Sequence, residues 1–365
     1  MEPVINRLPA ITGIGLVTAL GQSAGETWST LLAGRSISDH ALAPGFSGAD
    51  RAIAMAERAA REALAGAGWT DAHRGSSDSG IFVGTSKGAI ESWMSGAARD
   101  VHPGLCSGLA QIDVELSRQL QFGEGPRLTI SSACSSGLHA LLRAAMALQS
   151  GEIRRALVVG VEASVHPLFI SSFERLGILA PEGYGCRPFD RERKGFVISE
   201  AAAAVCLESS ESTIGRPIMR IDRWAAGGDG THLTGGDPAG KALGKLLQHV
   251  VGPDCDLVHA HGTGTLVNDP VELAAIAAAF RSRPWLYSHK GALGHSLGAA
   301  GMVSVVLNCL SHSHGAVPPN IRSTRPLDMS NLGFSSEAVE VPVRRSVAIA
   351  AGFGGPLAIV SLVNS

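Results

Sequence analysis

Residues 128–143 read Leu128-Thr-Ile-Ser-Ser-Ala-Cys134-Ser-Ser-Gly-Leu-His-Ala-Leu-Leu-Arg143. The apolar, β-branched start predicts a buried strand, the run of small residues a turn, and the Leu- and Ala-rich remainder a helix. The thiol of Cys134 would then sit at a helix N-terminus, where free N–H groups and the helix dipole favour thiolate. Small neighbours leave room for a substrate chain, and the backbone N–H of Cys134 can face an oxyanion. A lone cysteine is more often structural than catalytic, so this stretch gains meaning only from others like it.

The same strand–turn–helix alternation runs through the chain. Candidate strands are 11–15, 80–85, 127–131, 155–160, 203–207, 256–261, 285–288, 346–350 and 357–362. Candidate helices are 49–67, 135–150, 237–250, 270–281 and 297–312. Asp269-Pro270 reads as an N-cap followed by a proline at the first helical position. Continuous apolar strands between helices imply sheets covered on both faces, an α/β architecture. The polar stretch 208–216 ends at Pro217, which places a boundary between residues 1–216 and 217–365. Each part contains strand–glycine turn–helix units and ends in what could be a pair of strands, which suggests two similar halves.

The chain has 365 residues, ample to bury a core without disulfide or metal staples. With 30 basic and 32 acidic side chains it carries a net charge of −2, which argues against bulk nucleic-acid or polybasic membrane binding. The six cysteines, Cys106, Cys134, Cys186, Cys206, Cys255 and Cys309, form no C-x-x-C pair. No zinc site or thioredoxin-like motif is therefore indicated, and a reduced, cytoplasmic setting is expected. Met1–Arg7 lacks the pattern of a signal peptide. The longest soft apolar stretch, 298–310, contains Asn308 and is too short to span a membrane.

Three further stretches stand at strand ends beside glycine turns. They are His259-Ala-His261-Gly-Thr-Gly-Thr265-Leu-Val-Asn-Asp269-Pro-Val-Glu272, then Lys290-Gly-Ala-Leu-Gly-His295-Ser-Leu-Gly, and Ala350-Ala-Gly352-Phe353-Gly-Gly355-Pro. Ligands of open α/β sheets bind at such strand ends. Four stretches of this kind are harder to dismiss than any single histidine.

Taken together, these stretches resemble the β-ketoacyl synthases, the condensing enzymes of fatty-acid and polyketide synthesis. The likeness covers nearly the whole chain. It begins at Ile11-Thr-Gly-Ile-Gly-Leu-Val-Thr-Ala-Leu-Gly, includes Cys186-Arg-Pro-Phe-Asp190 through Glu200, and ends at Gly352-Phe353-Gly-Gly355. The resemblance implies the thiolase-like fold, two duplicated halves in a five-layer αβαβα arrangement, normally dimeric. It implies that Cys134 is the nucleophile accepting an acyl chain, and that His261 and His295 bind the malonyl thioester carbonyl and promote decarboxylation. Lys290 and Glu272 match the charged pair supporting the histidines, and Thr263 and Thr265 the threonines lining the pantetheine tunnel. Phe353 matches the gating phenylalanine, whose N–H joins that of Cys134 in an oxyanion hole. No separate cofactor or metal is implied, because substrates arrive on the phosphopantetheine of an acyl carrier protein.

The chemistry stands beside the likeness. Acyl transfer needs a nucleophile and donors for a tetrahedral oxyanion. Loss of CO₂ creates an enolate that two histidine N–H groups can stabilise without a metal. No C–H proton need be abstracted, so the second cysteine of a thiolase loop is not required; Gly352-Phe353-Gly stands there. A chalcone-synthase-type triad would replace one histidine by Asn, which His295 argues against.

Three departures from the family pattern are visible. Ala351 replaces an aromatic residue of the gate loop and Pro356 lacks an N–H, which implies a roomier or differently hinged gate. His259 replaces an acidic or amide residue. The chain is also short, chiefly before Cys134, as in compact synthases of aryl-polyene-type pathways. A non-catalytic chain-length-factor-like partner in a heterodimer is the competing reading, and retention of Cys134, His261, His295 and Lys290 favours the enzyme. Among weaker signals, Gly13-Ile-Gly15 is half a dinucleotide fingerprint without its acidic partner. Residues 227–236 read as a loop, His312-Ser-His314 as a helix end. Arg51, Arg191, Arg193 and Lys194 read as solvated, some available to an acidic carrier protein.

Overall fold

Alternation of side chains along the strands decides the layering of this chain. The structure, a computed structural model, describes residues 8–47, 50–94, 108–211, 213–233, 235–252 and 254–364. Met1–Arg7, Ala49 and Cys106 lie outside the described residues. The first half contributes β1 (Ala10–Thr18), β2 (Ser79–Gly84), β3 (Arg127–Ile130), β4 (Arg155–Glu162) and β5 (Ala201–Glu208). The second contributes β6 (Met219–Gly228), β7 (Leu257–His259) and β8 (Trp285–Tyr287). Next come β9 (Ala316–Val317) and β10 (Val339–Glu340), a separate ribbon, and finally β11 (Arg345–Ala351) and β12 (Pro356–Val363).

The two halves repeat one topology. From the centre outward the strands run β1-β5-β4-β2-β3 on one side and β6-β12-β11-β7-β8 on the other. In each, the first two junctions are antiparallel and the last two parallel. Among the described residues, the two halves of this ten-stranded sheet join through the pairs Ala10–Arg220 and Ile11–Met219. Each half also closes on an antiparallel strand pair, β4–β5 and β11–β12.

Successive residues of a strand point to opposite faces. Phe82, Val158, Ala203 and Val205 therefore enter a central core shared with Ala348, Ala350, Ala358 and Val360 of the other half. Their neighbours Ile81, Val83, Leu157, Val159, Ala202 and Ala204 face an outer core instead. On the second half Val347, Ile349, Leu357 and Ile359 face a third core. Helices Ser136–Gln149 and Ala300–His314 fill the middle layer, and residues 300–311 are all buried, the polar Ser304, Asn308 and Ser311 among them. Helix Arg51–Ala67 covers one sheet on the outside, and Lys241–Val250 and Asn268–Ala279 cover the other. The result is the thiolase-like αβαβα stack.

Gly13 and Gly15 have a packing reason rather than a nucleotide-binding one. A Cβ on either would stand 2.0 Å from a carbonyl oxygen of helix Arg51–Ala67, those of Ala63 and Ala59 respectively. The helix is seated on β1 at backbone distance, which requires alanines on its inner face.

All nine expected strands are present, with ends moved by a few residues. β6 was not expected: Met219-Arg-Ile-Asp-Arg-Trp reads as charged, and Gly227 and Gly228, assigned to a loop, end this strand in register with Leu357 and Pro356. Helices Ala24–Leu32, Gln111–Gln119 and Pro167–Arg175 were also not expected. Asp269 is not an N-cap. The helix begins at Asn268, and the Asp269 carboxylate folds back under the preceding glycine turn. Among the described residues, no helix is long and apolar enough to cross a membrane.

Candidate active site

Cys134 stands at a sharp corner between β3 and helix Ser136–Gln149. Ala133 takes the left-handed conformation (φ 49°), a costly one for a residue with a Cβ. The corner is held by its own serines: Ser136 Oγ donates to the Ala133 carbonyl (2.6 Å) and accepts from Ser132 N–H (2.9 Å), while Ser135 N–H donates to the Ser132 carbonyl (3.1 Å). Ser135 and Ser136 are buried, so these bonds form away from water.

β7 delivers His261 into the Gly-Thr-Gly turn. Glu272 grips that turn from the first part of its helix, accepting from His261 N–H (2.6 Å), Gly262 N–H (2.8 Å) and Asn268 Nδ2 (3.0 Å). Asp269 accepts from Thr263 N–H and Gly264 N–H at 3.1 Å each. Lys290 Nζ donates to the His261 carbonyl from the one-turn helix after β8. That helix ends at Gly294 (φ 71°), where a Cβ would meet Ile37 at 2.9 Å, so the chain can turn there only as glycine. His295 follows at once and is fixed through its main chain, donating N–H to Val197 O (2.8 Å) and accepting from Ser199 N–H (3.1 Å).

The histidine rings meet at 5.4 Å between centroids, nearly perpendicular (81°). Cys134, His261, His295, Thr263, Thr265, Glu272 and Phe353 line one cavity of about 490 Å³. Phe353 packs on Phe173 (6.2 Å), and Phe196 meets the His295 ring edge-on (4.9 Å). Lys290 lies behind the wall, 1% exposed, and acts on the site through His261. Among the described residues, neither the Cys134 nor the Phe353 amide donates to a protein acceptor. Thr263 and Thr265 share a hydroxyl–hydroxyl bond of 2.9 Å.

The electrostatics correct one expectation. Burial pushes the Cys134 thiol up to about 11, outweighing the pull of Lys87 and Lys290, so the unliganded site holds a thiol rather than a thiolate. Burial drives His261 and His295 well below the usual histidine range, with Lys290 adding to both, so each ring is neutral at pH 7. Burial also lifts Glu272 to about 7 against its three hydrogen bonds, and lowers Lys290.

Several supporting groups escaped the sequence reading. Glu162 ends the apolar strand β4, fully buried, and accepts from Ser86 N–H (2.9 Å), Lys87 N–H (3.1 Å) and Gly298 N–H (3.1 Å). It thereby ties the loop after β2 to the turn after His295; a lone acid at the end of Val-Val-Gly-Val was the available signal. Lys87 lies 5.3 Å over the Phe169 ring. His259 bonds to Asn308 Oδ1 and to His289 Nδ1, each at 2.9 Å, joining the ends of β7 and β8 to the central helix. Arg51 and Arg193, expected in solvent, are internal ties. Arg51 pairs with Glu200, and Arg193, 8% exposed, donates to Thr265 O (2.9 Å). Arg191 and Lys194 remain exposed. His312 ends its helix on the Val343 carbonyl (2.8 Å), and no group of three or more metal-ligating side chains occurs among the described residues.

A duplicated α/β chain that sets a corner cysteine against two neutral imidazoles in one cavity defines a thiolase-like condensing enzyme of the acyltransferase class. Residues 44–213 match the β-ketoacyl synthase N-terminal domain and residues 218–324 its C-terminal domain; the chain belongs to the β-ketoacyl synthase family. It is similar to a 3-oxoacyl-[acyl-carrier-protein] synthase 2 of Mycobacterium leprae, 37% identical over 53% of this chain and half of that protein. It is also similar to the polyketide biosynthesis malonyl-ACP decarboxylase PksF of Bacillus subtilis, 26% identical over 97% of this chain and 96% of that protein. Among solved structures, the ishigamide ketosynthase/chain length factor superposes with a TM-score of 0.86 at 26% identity, covering 98% of this chain and 99% of that one.

Proposed function

We propose that this chain joins an acyl group held on Cys134 to the two-carbon unit of malonyl-acyl carrier protein, with loss of CO₂. The carrying observation is the shared cavity: a thiol at a helix-opening corner and two uncharged imidazoles face the same space. In the first half-reaction the Sγ–acyl bond forms as the carrier's thioester bond breaks, and the thiol proton ends on the departing carrier thiol. The free amides of Cys134 and Phe353 are the donors for the tetrahedral oxyanion. In the second, the bond from malonyl carbon to carboxylate breaks and CO₂ leaves. A ring N–H from each of His261 and His295 holds the enolate oxygen. The enolate carbon attacks the acyl carbonyl, and the expelled Cys134 thiolate takes a proton from solvent.

Lys290 and Glu272 act through the His261 turn, one on its carbonyl and one on its amides. Thr263 and Thr265 stand along the route from the exposed mouth to the sulfur, where a pantetheine arm would lie. A dimer, with itself or with a related chain, and a carrier protein docked by Lys194 and Arg191 complete the proposal. We expect Cys134→Ala to gain no mass from acyl-carrier thioester, and His295→Ala to load yet condense 10²–10³-fold more slowly, the usual effect of losing one such donor. Equal loss of both half-reactions in His295→Ala would contradict the assignment. The likeness to a ketosynthase/chain length factor supports a second reading, a non-catalytic partner subunit; a chain that is inert alone and whose Cys134 stays unloaded beside a second ketosynthase-like chain that does load would establish it.

A further inference from the structure

Lys87 stands in the loop that follows β2, and its surroundings fix where its charge falls. Its N–H donates to Glu162 Oε1 (3.1 Å), Ser86 N–H donates to Glu162 Oε2 (2.9 Å), and Gly88 N–H donates to Thr85 Oγ1 (3.0 Å). Gly88 has φ 72°, and a Cβ there would press to 3.0 Å on the Leu109 main chain. The side chain therefore starts from a short, pinned loop. Half-buried, it lays its ammonium 5.3 Å over the ring of Phe169. Phe169 in turn packs against the apolar cluster that contains Cys134, Phe173, Phe196 and Leu297.

This ammonium has no counter-charge. Among the described residues no carboxylate or other hydrogen-bond acceptor meets it. The Glu162 carboxylate that anchors the loop is taken up by N–H and O–H donors. Other cations around the site are occupied: Lys290 donates to the His261 carbonyl, Arg193 to the Thr265 carbonyl, and Arg187 pairs with Glu192. An ammonium half shielded from water and left to a ring alone has lost solvation for a cation–π contact, so an anion brought to it gains more than it would in bulk water. Its charge also acts on the Cys134 sulfur more strongly than that of Lys290. A free positive charge and the reactive sulfur thus share one neighbourhood beside an aromatic wall.

We propose that Lys87 selects the acyl group loaded on Cys134, favouring a chain that carries its own carboxylate over a hydrocarbon chain of equal carbon count. In loading, the Sγ–acyl bond forms, the pantetheine thioester bond breaks, and the thiol proton goes to the departing pantetheine thiol. The carboxylate stays ionised and pairs with the Lys87 ammonium. The proposal rests on Cys134 being the acyl acceptor, and the experiment separates the two. The full chain is incubated with an equimolar mixture of adipoyl- and hexanoyl-pantetheine, and the two Cys134 adducts are counted by intact mass spectrometry. Competition in one tube cancels any effect of Lys87 on the thiol itself. The unmodified chain should carry adipoyl at least as often as hexanoyl. Lys87→Met should lower the adipoyl-to-hexanoyl ratio about tenfold, the usual contribution of one hydrogen bond to a charged group. Lys87→Glu, offered 6-aminohexanoyl- and hexanoyl-pantetheine, should prefer the amine. An unmodified chain loaded mainly with hexanoyl, or a ratio that falls by less than about threefold in Lys87→Met, overturns the selection. Loss of every adduct in both variants overturns it too, placing Lys87 in the chemistry of loading rather than in the choice of chain. An unmodified chain with no adduct from either thioester overturns the acceptor role itself, and with it the proposal.

Discussion

Cys134 is the residue whose environment departs most from its sequence context. A cysteine that opens a helix should ionise readily, yet this one is held near 11 by burial. Two cations oppose that effect, Lys87 in the loop after β2 and Lys290 behind His261. Alkylation by iodoacetamide should therefore be slow at pH 7 and rise only toward strongly alkaline pH. Lys87→Ala should move the rise further upward, because it removes the first of the two stabilising charges. A thiol that alkylates fully at pH 7 with a midpoint near 7 would contradict this. Both histidines and Phe353 were legible because each stands beside a glycine turn at a strand end, and Cys134 because a run of small residues separates its apolar strand from its helix. Glu162 and Lys87 were not, because their partners lie far off in sequence: Glu162 works through Gly298, 136 residues away.

Elements are positioned here by backbone-level contacts. Helix Arg51–Ala67 lies on β1 at glycine distance, and the obstructing atoms are carbonyl oxygens that no rotamer change can move. Gly15→Val should cost about 1–3 kcal/mol or more in denaturant unfolding, the usual range for overpacking a tight core. An unchanged midpoint would show that the helix can retreat. The His259–His289–Asn308 set plays the equivalent part beneath the site, binding the strands that carry His261 and Lys290 to the central helix. Asn308→Leu should loosen it and slow condensation while acyl loading of Cys134 persists; parallel loss of loading would place the network under the nucleophile as well. Strand β6 escaped the sequence reading because its polar residues alternate on an accessible face, while its pairing with β12 depends on residues about 130 positions away. Strands β2, β4 and β5 were legible as continuous apolar runs because both of their faces are covered.

At the scale of the molecule, the duplicated topology matters because it brings two strand-end clusters, one from each half, to a common seam. The first half supplies the corner cysteine and the second supplies both histidines. That seam buries an unusual number of neutral imidazoles. His259 is lowered to about 3, and His261, His289 and His295 well below 6.5, each chiefly by burial. Below pH 6.5 the unfolded chain binds protons at these four sites that the folded chain refuses, so stability falls with pH by up to about 1.4 kcal/mol per unit for each. Glu272 and Asp269, raised by burial, have the opposite sign and reduce the slope above pH 4.5. The melting temperature should therefore drop on acidification from pH 7 to pH 5; a flat or rising profile would mean that the imidazoles can be charged in the folded state.

The most direct test of the central claim is a single-turnover reaction of the isolated chain, first loaded with an acyl group and then given malonyl-acyl carrier protein labelled in its carboxylate. Released label and new β-ketoacyl thioester are measured together. The predicted result is one labelled CO₂ for each thioester formed, with the acyl group on Cys134 disappearing at the same rate. Thioester formation without label release, or label release that leaves the acyl-Cys134 adduct intact, would contradict it.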